Sequence, residues 1–353
     1  MNKYNKVIFV CNYAANYAGN FIASLNNLAK KLEHNTKIIF IFPKSAVIEN
    51  WEIDLSNYQI VYSDFQSKNL IKTIVKNIDR TDKVIIHLHF VSALLLIKLR
   101  RLTDSKNLLV YHQHMTIKHN WKMPIKGLLL RTLASKNIIY IGVSPYVYKD
   151  LCQEVGKNRC RLVVNAIDTK RLVTTDYHNN NILIFGTNFK RKGVDLAIEA
   201  IRTSRIASKV KLEIVTHNIE NVKKLIIQQY KEIPRFVKIR GTSTNISELY
   251  KNSFLFLSPS RAEAFGYSVV EAAYSGNQVI ASDIPGQNTL KNIPSIYWIE
   301  KNNAYQLKKC IEKAYYSQND RLTNVNLLNA EKYIEKHYSL DSWSNKIIDI
   351  YNE

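Results

Sequence analysis

The chain has 353 residues, of which 46% are hydrophobic and 22% charged, an ordinary globular composition with enough length for two domains. Fifty Lys and Arg against 29 Asp and Glu give a formal net charge of +21, which points to an anionic partner (nucleic acid, a phosphorylated substrate or an acidic membrane surface) or to a merely solubilising surface. No apolar run reaches the roughly 18 to 20 residues of a bilayer crossing. The opening MNKYNKVIFVCNYAANYAGN lacks a signal peptide's layout, and four scattered cysteines without a CxxC pair fit reduced thiols. A cytoplasmic protein is expected.

Lys6 to Cys11 (KVIFVC) has the continuous apolar run of a buried strand. The loop after it, NYAANYAGN, carries one glycine, Gly19, ahead of a helical pattern from Phe21 to Leu32. A single glycine is no GxGxxG fingerprint, so Gly19 is either a structural turn or a place where backbone approaches a ligand. Further strands are expected at Thr36 to Phe42, Lys83 to Leu88, Leu108 to His112 and Ile138 to Val143. Helical patterns between them make a parallel sheet with helices on both faces.

HLHF and YHQH place His87 with His89, and His112 with His114, at a spacing of two, so each pair lies on one face of a strand. Four imidazoles could imitate a metal site, but no acidic or cysteine partner accompanies them and no Asp-x-Asp occurs. Hydrogen-bonded structural or substrate-contacting histidines are expected, and no metal. Between Lys98 and Lys136 nine basic residues stand against one acidic residue, Asp104. Within that stretch Asn120 to Lys136 sets Trp121, Ile125, Leu128, Leu129 and Leu133 at helical spacing, with Lys122, Lys126, Arg131 and Lys136 interleaved. Such a segment is either a core helix with snorkelling lysines or an interfacial helix on anionic lipid.

The polar stretch DTKRLVTTDYHNNN separates this series from a second one, with strands at Ile182 to Phe185, Lys211 to Val215, Phe236 to Ile239, Phe254 to Leu257 and Gln278 to Ala281. Helical segments include Asp195 to Thr203 and Ser247 to Asn252, and the chain from Ala304 onward is mostly helical. The fold class is α/β: two Rossmann-like doubly wound domains facing across a cleft, with ligands beyond the carboxyl ends of the strands. GTNFKRKGVD follows the first strand of the second series. Gly186 and Gly193 allow a sharp turn and a close approach, and Arg191 and Lys192 add charge at a helix start. This suits a diphosphate, or else is a solvated basic turn. In SPSRAEAFGYSVVEAAYSG, Ser268 and Glu271 have capping-box spacing, whereas Glu263 lies in the loop after a strand, and backbone N–H groups of AEAFG can bind oxygens.

Together these segments resemble a retaining glycosyltransferase of GT-B architecture, glycosyltransferase family four (the group 1 glycosyltransferases). PSRAEAFGYSVVEAAYSGNQVIASD, with Glu263-x7-Glu271, resembles the family's paired-glutamate signature. GTNFKRKGVDLAIEA resembles its phosphate-binding segment, IIHLHF and VYHQHM its N-domain strand ends, and VVNAID its interdomain Asn-Gly-Ile-Asp. The resemblance implies an acceptor-side domain over 1–168, a donor-binding domain over 174–337, and a terminal helix at about 338–353 packing back on the first. It implies Glu263 beside the transferred sugar, Glu271 on the ribose hydroxyls, Arg191 and Lys192 on the diphosphate, and main-chain amides of Phe265 and Gly266 on the sugar. Gly186 belongs to the donor-binding turn, Gly19 would approach the donor phosphate, and His114 would contact the donor sugar. Thr187, Ala166 and Ala18 depart from the family pattern, which has arginine, glycine and glycine there.

The implied activity is transfer from a nucleoside-diphosphate sugar to a hydroxyl of a glycan or lipid-linked acceptor in bacterial cell-surface polysaccharide synthesis, with retention and without metal or other cofactor. The protein would be cytoplasmic, and the basic stretch 98–136 leaves peripheral attachment to the inner face of the membrane open. A nucleotide-sugar 2-epimerase of the same architecture and a non-catalytic basic scaffold are the alternatives. Nucleic-acid binding is not expected, since no helix-turn-helix, RNP or zinc pattern occurs.

Overall fold

The computed structural model describes residues 4–15, 19–46, 55–100, 106–115, 137–174, 179–243 and 245–353. The helical pattern at Asn120 to Lys136 lies outside them. The chain divides into two compact units, Met1–Asp168 with Leu340–Glu353, and Thr169–Ser339.

The first unit is built on β1 (Lys6–Cys11), β2 (Lys37–Pro43), β3 (Gln59–Ser63), β4 (Val84–His89), β5 (Leu108–Gln113), β6 (Ile138–Gly142) and β7 (Cys160–Leu162). All are parallel, in the order β3-β2-β1-β4-β5-β6-β7. Every residue of β1 and β4 is buried, because helices cover both faces of a parallel sheet; that is why these strands are continuous apolar runs. Phe9, Cys11, Phe40 and Val110 pack on one face with α1 (Gly19–Leu32), while Ile8, Val10, Ile86 and Leu88 pack on the other with α2 (Ser67–Lys76), α3 (Ala93–Arg100) and α4 (Pro145–Val155). Helix α4 begins on Ser144, whose side chain accepts from Val147 N, with Pro145 in the first turn.

The second unit carries β8 (Asn181–Phe185), α5 (Val194–Arg202), β9 (Lys211–Val215), α6 (Ile219–Tyr230), β10 (Val237–Arg240), α7 (Ile246–Lys251) and β11 (Leu255–Ser258). It continues with α8 (Tyr267–Tyr274), β12 (Gln278–Ser282), β13 (Ile296–Ile299), α9 (Ala304–Tyr316) and α10 (Arg321–Tyr338). Its sheet is again all parallel, in the order β10-β9-β8-β11-β12-β13. The order reverses at β8 and β11, so the loops leaving these two neighbours, β8 to α5 and β11 to α8, emerge side by side at the carboxyl edge.

Three strands have no counterpart in the sequence reading. β7 has three residues, β3 (QIVYS) is an edge strand of mixed burial with only Ser63 buried, and β13 (IYWI) is an outermost strand of the second sheet. None presents the long apolar run that marks a central strand. The polar stretch read as a linker ends inside β8, which begins at Asn181, and Thr169–Arg171 form a 3-10 turn.

The last helix, α11 (Leu340–Asn352), belongs to the first unit. Its Trp343, Ile347, Ile350 and Tyr351 join the core with β1 and α1, and Asn27 of α1 donates to Ser344 Oγ at 2.9 Å. Ile347 is fully buried. Ile347→Ala is expected to lower stability by about 2–5 kcal/mol through lost transfer energy and the remaining cavity. Urea unfolding checks this; a shift below 0.5 kcal/mol would mean that α11 is not part of that core.

Candidate functional site

The loop from β8 to α5 turns tightly. Asn188 accepts from Arg191 N through Oδ1 at 3.1 Å and from Lys192 N through its carbonyl at 2.8 Å, which presents the two cations consecutively. Gly193 closes the turn at φ 72° as the N-cap of α5, and a Cβ there would stand 2.2 Å from the Pro259 carbonyl oxygen. Only glycine fits both the dihedral and the approach of the neighbouring loop. Gly186 ends β8 with its N donating to Val215 O at 2.8 Å; a Cβ there would meet Ile214 Cγ2 at 2.7 Å.

Glu263 lies on the neighbouring loop, from β11 to α8. Its main chain is seated on Gly286, where a Cβ would come 1.7 Å from the Glu263 carbonyl oxygen. Its carboxylate oxygen Oε1 accepts from Lys192 Nζ at 2.7 Å, Arg191 Nη1 at 3.1 Å and Ser260 Oγ at 3.1 Å. Oε2 accepts no hydrogen bond among the described residues. The Glu263 side chain is 13% exposed, against 17% for Lys192 and 40% for Arg191, so the pair is shielded while the guanidinium still meets solvent. Arg191 Nη1 also donates to the Ala262 carbonyl at 3.1 Å.

Two further ion pairs flank this one. Asp195, in the first turn of α5, accepts from Arg261 Nη1 at 2.9 Å, Arg261 Nη2 at 3.0 Å and Lys190 Nζ at 2.9 Å. Burial alone would raise the Asp195 carboxyl, but Arg261 and Lys190 hold it below its ordinary value. Among the described residues, Lys190, Arg191, Lys192 and Arg261 pair with Asp195 and Glu263, an excess of two positive charges. Beside them a cavity of about 280 Å³, open at the carboxyl ends of β8 and β9, is lined by Thr187, Asn188, Lys190, Thr216, Asn218 and Asn221, among others.

Glu271 is inside α8 and buried; it accepts from Tyr250 Oη at 2.8 Å. Burial, and then the Glu271 charge, push the Tyr250 phenol well above its usual value. The capping box expected from Ser268 and Glu271 does not form. The N-cap of α8 is Gly266, at φ 107°, without a side-chain cap bond, so Ser268 already lies within the helix and Glu271 a full turn in. Phe265 is buried, its ring against Tyr267 and Tyr338.

Gly186, Arg191, Lys192, Glu263, Phe265, Gly266 and Glu271 all belong to the second unit, and hydrogen bonds join Arg191, Lys192 and Glu263 among them. Gly19 and His114 are in the first unit, where Gly19 opens α1 at φ 56°. Sequence reasoning missed Ser260, Arg261, Asp195, Tyr250 and Gly286. The first two stand inside the quoted PSRAEAFG, and the pairing of Arg261 with Asp195 becomes visible only when β8 and β11 are known to be neighbours.

The histidines of the first unit do converge. His87, His89 and His112 have ring nitrogens within 4.8 Å of one another. His87 Nδ1 is 2.7 Å from Tyr351 Oη and its Nε2 is 3.2 Å from His112 Nδ1; His89 Nδ1 is 3.0 Å from His114 Nε2. Burial first, and then the neighbouring imidazoles, draw His87, His89 and His112 well below the usual value, and burial draws His114 down to about 3. All four are neutral near pH 7, linked to one another and to Tyr351 of α11.

The family model of group 1 glycosyl transferases matches residues 167–326, which spans both loops and α8. An uncharacterized 41.2 kDa protein in the cps region of Klebsiella pneumoniae is 26% identical over 308 residues, 78% of this chain and 81% of that protein. Among solved structures, Anabaena Alr3699/HepE in complex with UDP superposes with a TM-score of 0.79 at 16% identity, over 98% of this chain and 99% of that one; it has also been crystallised with UDP-glucose. A glycosyltransferase from Rickettsia africae gives 0.79 at 18%, over 99% and 98%. The fold is that of the GT-B glycosyltransferases.

Because the three fully buried imidazoles fold neutral but titrate near 6.5 when unfolded, their contribution to stability is complete above pH ~6.5 and is lost as pH falls towards their depressed folded values. Each is expected to cost about 1 kcal/mol between pH 6.5 and 5.5. Denaturant unfolding across this range checks it, and His89→Asn should make the slope shallower. A slope unchanged by that substitution would contradict the assignment.

Proposed function

We propose that the chain is a retaining glycosyltransferase that moves a sugar from a nucleoside-diphosphate sugar to a hydroxyl of a glycan or lipid-linked acceptor. The observation that carries this reading is the excess of two positive charges on the adjoining β8–α5 and β11–α8 loops, which complements a diphosphate. Two helix N-termini, those of α5 and α8, add partial positive charge beside it. The group 1 family match over 167–326 supports the same reading, as does the UDP-glucose complex of a protein sharing the fold.

In the proposed reaction the bond between the anomeric carbon and the diphosphate oxygen breaks, and negative charge grows on the leaving diphosphate. Arg191 and Lys192 stabilise that charge where it develops, the electrostatic contribution that usually dominates such catalysis. The free Oε2 of Glu263 accepts a hydrogen bond from a hydroxyl of the transferred sugar while Oε1 stays tied to the two cations. Glu271 accepts from the ribose hydroxyls, with Tyr250 fixing its carboxylate. The acceptor oxygen attacks from the face the diphosphate leaves, its proton passing to a diphosphate oxygen, and the configuration is retained. The two cations take the part a metal ion plays in other transferases, so no metal is needed.

His114 and Gly19 of the first unit are proposed to meet the donor. The cps-region relative favours a polysaccharide acceptor made at the cell surface. Peripheral attachment to an anionic membrane through the basic stretch 98–136 would bring a lipid-linked acceptor within reach. No helix among the described residues is long and apolar enough to cross a membrane.

Thermal unfolding with UDP, GDP, dTDP or ADP, in EDTA, is expected to show a selective rise of several degrees with one nucleotide, lost in Glu271→Ala. Turnover in Lys192→Ala should fall about 10²- to 10³-fold. No shift with any nucleotide would overturn the reading.

A further inference from the structure

We propose that Arg261 and Asp195 are positioning residues of the anion site: their two-pronged pair bolts the Glu263 loop to the Arg191–Lys192 loop and sets where both cations point. The inference rests on the reading of that site as a diphosphate site and adds residues to which no role in it has been given.

Arg261 grips the β8–α5 loop at three places. Its main-chain N donates to the Arg191 carbonyl at 2.7 Å. Its Nη1 donates to the Lys190 carbonyl and, at 2.9 Å, to Asp195 Oδ1, while Nη2 donates to Asp195 Oδ2 at 3.0 Å. The planar fork of a guanidinium matches a carboxylate in this way, which an ammonium cannot do. Asp195 is held in turn: it lies in the first turn of α5, its side chain is 9% exposed, and its carbonyl accepts from Tyr230 Oη of α6 at 3.1 Å.

The consequence is geometric. Arg191 carries one of the two carbonyls that Arg261 holds, Lys192 lies between those carbonyls and the helix start at which Asp195 is fixed, and Glu263 sits two residues after Arg261. Moving either member of the pair therefore moves the cations relative to the carboxylate that they share. Catalytic geometry tolerates little such displacement. Arg261 does not need to touch the ligand for this. Its guanidinium already has both prongs on Asp195.

The test is calorimetric titration with inorganic pyrophosphate, the moiety common to all nucleoside diphosphates, on the full chain at fixed salt. Arg261→Ala is expected to weaken binding at least tenfold and Arg261→Lys to recover part of the loss, with the circular dichroism of the folded chain unchanged. In an Arg191→Ala/Lys192→Ala background, Arg261→Ala should cause no further loss, because a residue acting through those cations has nothing left to place. Losses that multiply in that background would make Arg261 a direct ligand or a general stabiliser and overturn the proposal. So would wild-type affinity in Arg261→Ala. If Arg261→Ala does not fold, Asp195→Asn carries the same test with the same outcomes. Wild-type protein that binds neither pyrophosphate nor any nucleoside diphosphate contradicts the diphosphate reading itself, and the positioning role falls with it; binding that survives the substitutions contradicts the positioning role alone.

Discussion

One carboxylate oxygen, Glu263 Oε1, accepts from an ammonium, a guanidinium and a hydroxyl at once, and the candidate site depends on that convergence. Arg191 and Lys192 are consecutive and of like charge; without a counter-charge they would repel each other and swing into water. Removing ions from water costs several kcal/mol each unless partners and hydrogen bonds replace the hydration. The convergence supplies these on one side only. Oε2 of Glu263 and the solvent-facing part of Arg191 remain for a ligand, so the site is assembled but not self-neutralised.

The backbone is shaped to permit it. Two parallel strands adjacent at the reversal of sheet order deliver their loops side by side, and the loops touch at points where no Cβ fits: Gly193 against the Pro259 carbonyl, and Gly286 beneath the Glu263 carbonyl. Cations held by a neighbouring loop rather than by solvent are already oriented when charge develops on a leaving group, which is the physical content of electrostatic preorganisation. The first unit follows a different rule. Its carboxyl-edge histidines are kept neutral by burial and are linked to Tyr351 from the last helix of the chain, so the terminal segment and the strand ends form one packed group.

Much of this was legible in the sequence because buried parallel strands announce themselves as uninterrupted apolar runs: KVIFVC, ILIF and FLFL each fall in a central strand. The same logic hid β3, β7 and β13, which are short or lie towards the sheet edges. Glycine and charge spacing marked the 186–195 loop, and the paired glutamates marked the other. The spacing of Ser268 and Glu271 misled, since a local capping pattern says nothing about a tyrosine from another helix: Tyr250 takes the carboxylate instead, and Gly266 begins the helix. Asp195 with Arg261, and Glu263 with Gly286, were invisible for the same reason. They are contacts between segments whose adjacency is set by strand order, and no local pattern encodes strand order.

The most direct test of the account is the stereochemistry of the product. Proton NMR of the first-formed glycoside, taken with the nucleotide sugar that the protein selects and a hydroxyl acceptor, should show the anomeric configuration of the donor, with one nucleoside diphosphate released per glycoside formed and none with Glu263→Ala. An inverted product would contradict attack on the face the diphosphate leaves, and undiminished turnover in Glu263→Ala would contradict the central place given to its carboxylate.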